Sequence, residues 1–98
     1  MSARRITQTV GYHVAPPDSR ESIDAEGLKA QRPLGPGGPR GVYLWESEAR
    51  AREETPEGHD IYEVELPRPY AYPDPNPAVH GATVYPGDVP PHMVHRLT

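Results

Sequence analysis

The sequence predicts an α+β domain in which two short helices accompany a small, mostly antiparallel sheet. Short segments with two-residue apolar alternation recur along the chain, and two segments with helix-capping signals lie between them. Prolines and glycines cluster at residues 33–41, 67–77 and 86–91, between these segments. Period-two alternation is typical of strands with one buried face. Strands separated by helices and followed by further strands indicate the α+β class, and we expect residues 1–98 to form one domain.

Residues 8–14 are predicted to form the first strand. Val10, Tyr12 and Val14 occupy alternate positions, and we expect them to face the core. Because side chains alternate along a strand, this assignment leaves His13 on the opposite face. Prolines at positions 16 and 17 end the strand, since proline offers no N–H to a neighbouring strand.

A short helix is predicted to follow the first strand and to end at about Glu26. The run Asp-Ser-Arg-Glu at residues 18–21 has the form of a capping box. Ile23 is the strongly apolar residue of this helix, and Leu28 is expected to pack just beyond it. Gly27 stands where a left-handed C-cap is expected.

Residues 41–46 are predicted to form a strand in which Val42 and Leu44 face the core. The same alternation places Tyr43 and Trp45 on the other face. Together with the assignment of the first strand, this pattern predicts that His13 and Tyr43 both turn away from the core.

The remaining elements follow the same rules. Ser47 can cap a helix over residues 48–54, and the turn residues after it end that helix. Residues 61–66 alternate as a strand with Tyr62, Val64 and Leu66 inward. We expect a long loop over residues 67–77 and short strands over residues 82–85 and 93–97.

Composition and charge limit the classes of function. The formal net charge is -4, which argues against a nonspecific nucleic-acid coat because such proteins have a basic surface. The chain has no cysteine, so neither disulfides nor a thiolate site are expected. No apolar run approaches the length that spans a bilayer, and the first residues are too polar for a signal peptide. These features predict a soluble, cytoplasmic protein without a membrane partner.

Three other patterns favour structural interpretations. His92 and His95 are three residues apart, which on a strand places them on opposite faces, so no metal site is expected. The glycine-rich residues 35–41 lack the Lys-Ser/Thr ending of a phosphate-binding P-loop, which favours a flexible loop. Residues 67–77 can be a polyproline ligand for a partner domain or a rigid loop, and we favour the loop.

The order of motifs resembles the ADP-ribosyltransferase-like superfamily. The motifs are Tyr12-His13, a helix leading to Gly27-Leu28, a strand with Tyr43, a second helix, and the strand at residues 61–64. The likeness runs from residue 9 to the end of the chain. It is greatest to the small rifamycin-type ADP-ribosyltransferases, in which an Asp-Pro-Asn segment follows a similar strand, as Asp74 and its two successors do here.

The resemblance implies that NAD is the substrate that supplies ADP-ribose. It implies catalytic roles for His13, Tyr43 and Asp74, and cofactor contacts by His13, Val14, Arg20 and Tyr43. In such a site the Asp stabilises positive charge on the nicotinamide ribose, the His holds ribose hydroxyls and the Tyr stacks on nicotinamide. Arg20, Arg40 and Arg50 can each meet a pyrophosphate or be a solvated surface charge, and we favour the solvated charge. The acceptor can be a small molecule, a protein or a nucleic acid, and no metal is required.

Two departures from the family pattern support an alternative. Val14 and Ala15 stand where many members have Gly and Thr or Ser, and no acid lies within residues 82–85, where other members have Glu. The alternative is a catalytically inactive binding module on the same fold that acts through a protein partner. RNA 2′-phosphotransferases share the fold but fit less well, because no second His lies in the Tyr43 strand.

Overall fold

A computed structural model of the protein describes residues 5–31, 40–74 and 81–97. In these residues, the chain forms seven strands and two α-helices. The strands are β1 (Ile6–Thr7), β2 (Val10–Ala15), β3 (Val42–Trp45), β4 (Asp60–Glu65), β5 (Tyr70–Pro73), β6 (Ala82–Tyr85) and β7 (Val94–Arg96). The helices are α1 (Arg20–Glu26) and α2 (Glu48–Glu54). The α+β class, the mostly antiparallel sheet and the two short helices are therefore confirmed.

The strands form one sheet in the order β1-β5-β6-β3-β2-β4-β7. Each recorded pair of neighbouring strands is antiparallel. Strand β2 lies between β3 and β4, and its pairing with β4 runs from Val10 opposite Glu65 to Ala15 opposite Asp60. The recorded register between β2 and β3 is the pair Tyr12 and Trp45. The centre of the sheet is thus built from β3, β2 and β4.

The inward face of β2 differs from the sequence-based assignment. Gly11 and Ala15 are buried, and a Cβ placed on Gly11 would lie 2.8 Å from a methyl carbon of Leu44. His13 shares this face because it lies two residues from each of them. The prediction that Val10, Tyr12 and Val14 face the core and that His13 faces away from it is therefore wrong. Glycine has no side chain to contribute to an apolar pattern, so the periodicity concealed the buried face.

The two helices cover opposite faces of the sheet. Ile23 of α1 belongs to the main buried cluster together with Val42 and Leu44, so α1 lies on that face. The Trp45 side chain projects from β3 on the opposite face. The guanidinium carbon of Arg50 in α2 lies 5.3 Å from the centroid of its ring, so α2 lies on that face. We call these the α1 face and the α2 face. Because both are covered, β2 has no face that is simply exposed, which is a second reason why its alternation misleads.

The main hydrophobic cluster lies on the α1 face and is supplied mostly by the central strands. Its buried members are Ala15, Ile23, Leu28, Val42, Leu44, Tyr62, Val64, Leu66, Ala71, Tyr85 and Val89. The inward assignment of Tyr62, Val64 and Leu66 is thus confirmed. The valine, leucine and isoleucine side chains of this cluster each stabilise the fold by about 1.5–3 kcal/mol when fully buried. The cluster fixes the positions of β2, β3 and α1, which surround the site described below.

Local capping accounts for how the two helices begin. Ser47 caps α2, since its Oγ accepts a hydrogen bond from the backbone N–H of Arg50 at 3.1 Å. The capping box predicted for α1 does not form. A 3-10 turn over Pro17–Ser19 comes first, and the N-cap residue Ser19 makes no side-chain cap bond. Proline at the start of this turn presets its backbone, so the N-cap is Ser19 and α1 begins one residue later than its polar signal indicates.

The predicted loop over residues 67–77 contains a strand. Strand β5 pairs with β6 through Tyr72 opposite Val84, and with the short edge strand β1 through Ala71 opposite Ile6. The surrounding prolines masked this strand in the sequence. Pro73 is tolerated because it is the last residue of β5, where a missing N–H costs little.

Candidate functional site

A cleft of about 580 Å³ lies between α1 and the adjoining ends of β2 and β3. His13 and Val14 line it from β2, Tyr43 lines it from β3, and Ile23 lines it from α1. The volume is within the range of small-molecule sites in proteins, which runs from about 300 to 1,000 Å³. This α1 cleft is the candidate functional site.

The cleft begins just beyond the recorded pair of β2 and β3. At that point the imidazole of His13 bridges the two strands, with Nδ1 2.9 Å from the carbonyl oxygen of Tyr43. A carbonyl oxygen can only accept, so Nδ1 holds the hydrogen and donates it. The histidine ring therefore links β2 to β3 at the edge of the cleft.

His13 is neutral in this setting. Burial lowers the pKa of His13 below its ordinary value because the charged form loses hydration, and the hydrogen bond to Tyr43 opposes this only in part. A neutral imidazole with its hydrogen on Nδ1 has an unprotonated Nε2, which accepts hydrogen bonds. The cleft thus has a hydrogen-bond acceptor suited to a hydroxyl group of a ligand.

Tyr43 and Asp74 lie near one another on the other side of β3. Burial raises the pKa of the Tyr43 phenol, and the negative charge of Asp74 raises it further. The backbone N–H of Asp74 donates to the carbonyl of Ala82 at 3.0 Å, which ties Asp74 to β6. The two residues that follow Asp74 in the predicted Asp-Pro-Asn motif lie outside the described residues.

The structure therefore brings the predicted catalytic residues together only in part. Val42 and Leu44 are buried on the α1 face, so the Tyr43 ring between them points to the α2 face. His13 points to the α1 face and contacts the main chain of Tyr43 rather than its ring. The sequence predicted one shared face for the two side chains, and the structure corrects this.

Val14 lines the cleft, whereas Arg20 is not among the lining residues. Its Nε and Nη2 atoms donate to the two carboxylate oxygens of Asp60 at 2.7 and 2.8 Å. This hydrogen bonding from Arg20 lowers the pKa of Asp60, whose side chain is only 4% exposed. The guanidinium group of Arg20, which was expected to contact the cofactor, thus binds Asp60 and joins α1 to the first residue of β4.

The sequence indicated a C-cap at Gly27 but not its second role in the wall of the cleft. Gly27 has φ 73° and ψ -151°, and its N–H donates to the carbonyl of Ile23 at 2.8 Å. The next residue, Leu28, exchanges two backbone hydrogen bonds with Val89, at 2.9 and 2.7 Å. This Leu28–Val89 bridge holds the chain after α1 in place. A contact between segments this far apart leaves no local sequence signal.

Comparisons with protein-family models, with curated proteins and with solved structures found no match to the chain. Within residues 5–31, 40–74 and 81–97, no cluster of three or more metal-binding side chains occurs. The helices of this same part of the chain are too short or too polar to cross a membrane. The geometry of the α1 cleft and the order of the sequence motifs are therefore the two features that bear on function.

Proposed function

We propose that the chain binds NAD in the α1 cleft and transfers the ADP-ribosyl group to an acceptor. The observation that supports binding is the neutral imidazole of His13, whose Nε2 is an acceptor at the edge of a cleft large enough for a nucleoside. The two ribose groups of NAD supply hydroxyl donors that suit such an atom. The motif order supports NAD as the ligand, and with it a place in the ADP-ribosyltransferase-like superfamily.

The apolar part of the cleft suits the rest of a nucleoside. Ile23, Leu28 and Val42 line it, and each belongs to the buried cluster. These nearly buried side chains form an apolar floor against which a ribose or a base can lie while His13 orients the hydroxyls. Ligand sites in proteins commonly combine an apolar lining with a few polar groups that fix orientation.

Transfer needs more than the cleft alone provides. The glycosidic bond between nicotinamide and C1′ of its ribose breaks, nicotinamide leaves with the electron pair, and an acceptor atom forms a new bond to C1′. The acceptor's proton passes to solvent. Asp74 is the carboxylate proposed to stabilise the positive charge on this ribose, which requires the ribose to lie within reach of the α2 face, to which the Tyr43 ring near Asp74 points.

Binding is tested by calorimetry with NAD on the wild-type protein and on His13→Asn. Asparagine retains a donor near the position of Nδ1 but lacks the acceptor at Nε2. Loss of one hydrogen bond is expected to weaken NAD binding by up to about tenfold, with the fold intact. His92→Ala is the matched control, since His92 is exposed and does not line the cleft. Absence of NAD binding by folded wild-type protein at millimolar concentration would refute the proposal.

The second candidate is a binding module that holds the ligand without transferring it. It is favoured by the placement of the Tyr43 ring and Asp74 away from the face of His13. Nicotinamide release separates the two candidates. An enzyme releases nicotinamide from NAD, and Asp74→Asn abolishes the release while NAD still binds. A binding module binds NAD and releases none, and Asp74→Asn leaves its affinity unchanged.

A further inference from the structure

A second recess of about 300 Å³ lies at the end of β6, apart from the α1 cleft. It is lined by Arg68, Tyr70, Tyr85, Pro86 and Gly87, and we call it the tyrosine recess. None of these residues lines the α1 cleft. Its volume lies at the lower end of the range for small-molecule sites.

Aromatic rings form much of this recess. The ring centroids of Tyr70 and Tyr85 are 6.2 Å apart with their planes inclined by 44°. Tyr72 meets Tyr70 edge to face, with centroids 6.1 Å apart, and supports it from one side. A Cβ on Gly87 would lie 3.2 Å from Cε2 of Tyr85, so the absence of a side chain at Gly87 leaves room beside that ring. Tyr85 is almost fully buried and forms the floor of the recess, whereas Tyr70 is half-buried, so the accessible aromatic surface belongs to Tyr70.

Positive charge surrounds the same rings. Arg68 is exposed and lines the recess. The guanidinium carbon of Arg5 lies 5.0 Å from the ring centroid of Tyr70, a cation–π contact. The five lining residues include no carboxylate. One guanidinium group thus lines the recess and a second lies over Tyr70 at its side, on a chain whose net charge is -4.

We propose that the tyrosine recess binds a nucleotide, with its base stacked on Tyr70 and its phosphate bound by Arg68. Aromatic side chains stack on any base, and arginine binds phosphate through a planar fork. A proline-rich peptide also packs on tyrosines, but it has no need of two arginines. The charge therefore favours the nucleotide over the peptide. This site is independent of the NAD site proposed above, because the two share no lining residue.

The test is an NMR titration of the full-length, 15N-labelled protein with AMP. Separate titrations with adenosine and with inorganic phosphate measure the binding of the two halves of AMP. AMP is expected to shift the amide signals of Tyr70, Tyr85 and Gly87 and to bind more tightly than either half. Tyr70→Leu is expected to weaken AMP binding about tenfold through lost stacking. Arg68→Gln, at an exposed position, is expected to weaken binding of AMP but not of adenosine.

Three results would overturn the proposal. The first is an AMP titration that leaves the three recess amides unshifted, including one that moves only α1 cleft residues such as Gly27. The second is equal affinity for AMP and adenosine. The third is a shift of the recess amides by a proline-rich peptide but not by AMP. His13→Asn separates the two sites, since it should weaken NAD binding in the cleft while AMP still shifts the recess amides.

Discussion

Replacing Gly27 by alanine should destabilise the protein through two effects that the structure separates. The first is backbone strain, because φ 73° with ψ -151° is a conformation adopted almost only by glycine. The second is a collision, because a Cβ at Gly27 would overlap the carbonyl oxygen of Val89 and lie 2.8 Å from the carbonyl carbon of Pro90. Relief of the collision requires the Leu28–Val89 bridge to open.

The expected magnitude follows from these two effects. Strain of this kind costs about 1–3 kcal/mol. Each of the two backbone hydrogen bonds between Leu28 and Val89 contributes about 0.5–1.5 kcal/mol. Gly27→Ala should therefore lower the free energy of unfolding by roughly 2–6 kcal/mol. Small domains are stable by only about 5–15 kcal/mol, so the variant should unfold at much lower urea concentration.

Urea unfolding followed by the fluorescence of Trp45, the one tryptophan of the chain, measures this change. Gly58→Ala is the matched control. Gly58 has φ 85°, but a Cβ there would meet no atom of residues 5–31, 40–74 or 81–97 within 4 Å. Its substitution should show strain alone, about 1–2 kcal/mol. If the two variants lose equal stability, the collision with Val89 and the bridge are not what makes Gly27 necessary.

Three further predictions use the same unfolding assay. Because the pKa of His13 is lowered in the folded protein, the unfolded chain binds the proton of this histidine more readily. The free energy of unfolding of wild-type protein should therefore fall relative to that of His13→Asn as the pH drops below about 6.5. A difference between the two proteins that does not change with pH would contradict this. Ser47→Ala should cost about 1 kcal/mol through the lost cap on the N–H of Arg50, and no loss would show that the cap is dispensable. Thr83→Val should keep or raise stability by up to about 1 kcal/mol, because Oγ1 of Thr83 is buried and has no hydrogen-bond partner among the described residues. A clear loss of stability would mean that the hydroxyl is bonded.

Local signals in the sequence predicted the parts of the fold that depend on neighbouring residues. Helix α2 has the predicted bounds because Ser47 supplies its own cap, and the turn residues after it stop the helix. The inward face of β4 was predictable because Tyr62 and Val64 alternate with two glutamates. Such features need no knowledge of distant contacts.

The features that were missed depend on residues far apart in the chain. The buried face of β2 is set by Leu44 packing over Gly11, and glycine gives no apolar signal. Arg20 meets Asp60 across forty residues, so its engagement was not visible from its own neighbours. The prediction of His13 in the candidate site came from motif order, whereas its neutral state and its bond to Tyr43 needed coordinates.

The order of strands in the sheet has a consequence for how the chain folds. Ile6 pairs with Ala71, and Val10 pairs with Glu65, so β1 and one side of β2 find their partners only in the second half of the chain. Topologies dominated by such distant pairings close large loops before any contact compensates the lost chain entropy, and they fold slowly for their size. Stopped-flow refolding should accordingly be complete in milliseconds to seconds, and a microsecond phase that recovers all native fluorescence would contradict it. During synthesis, β2 must wait unpaired on one side until β4 has emerged.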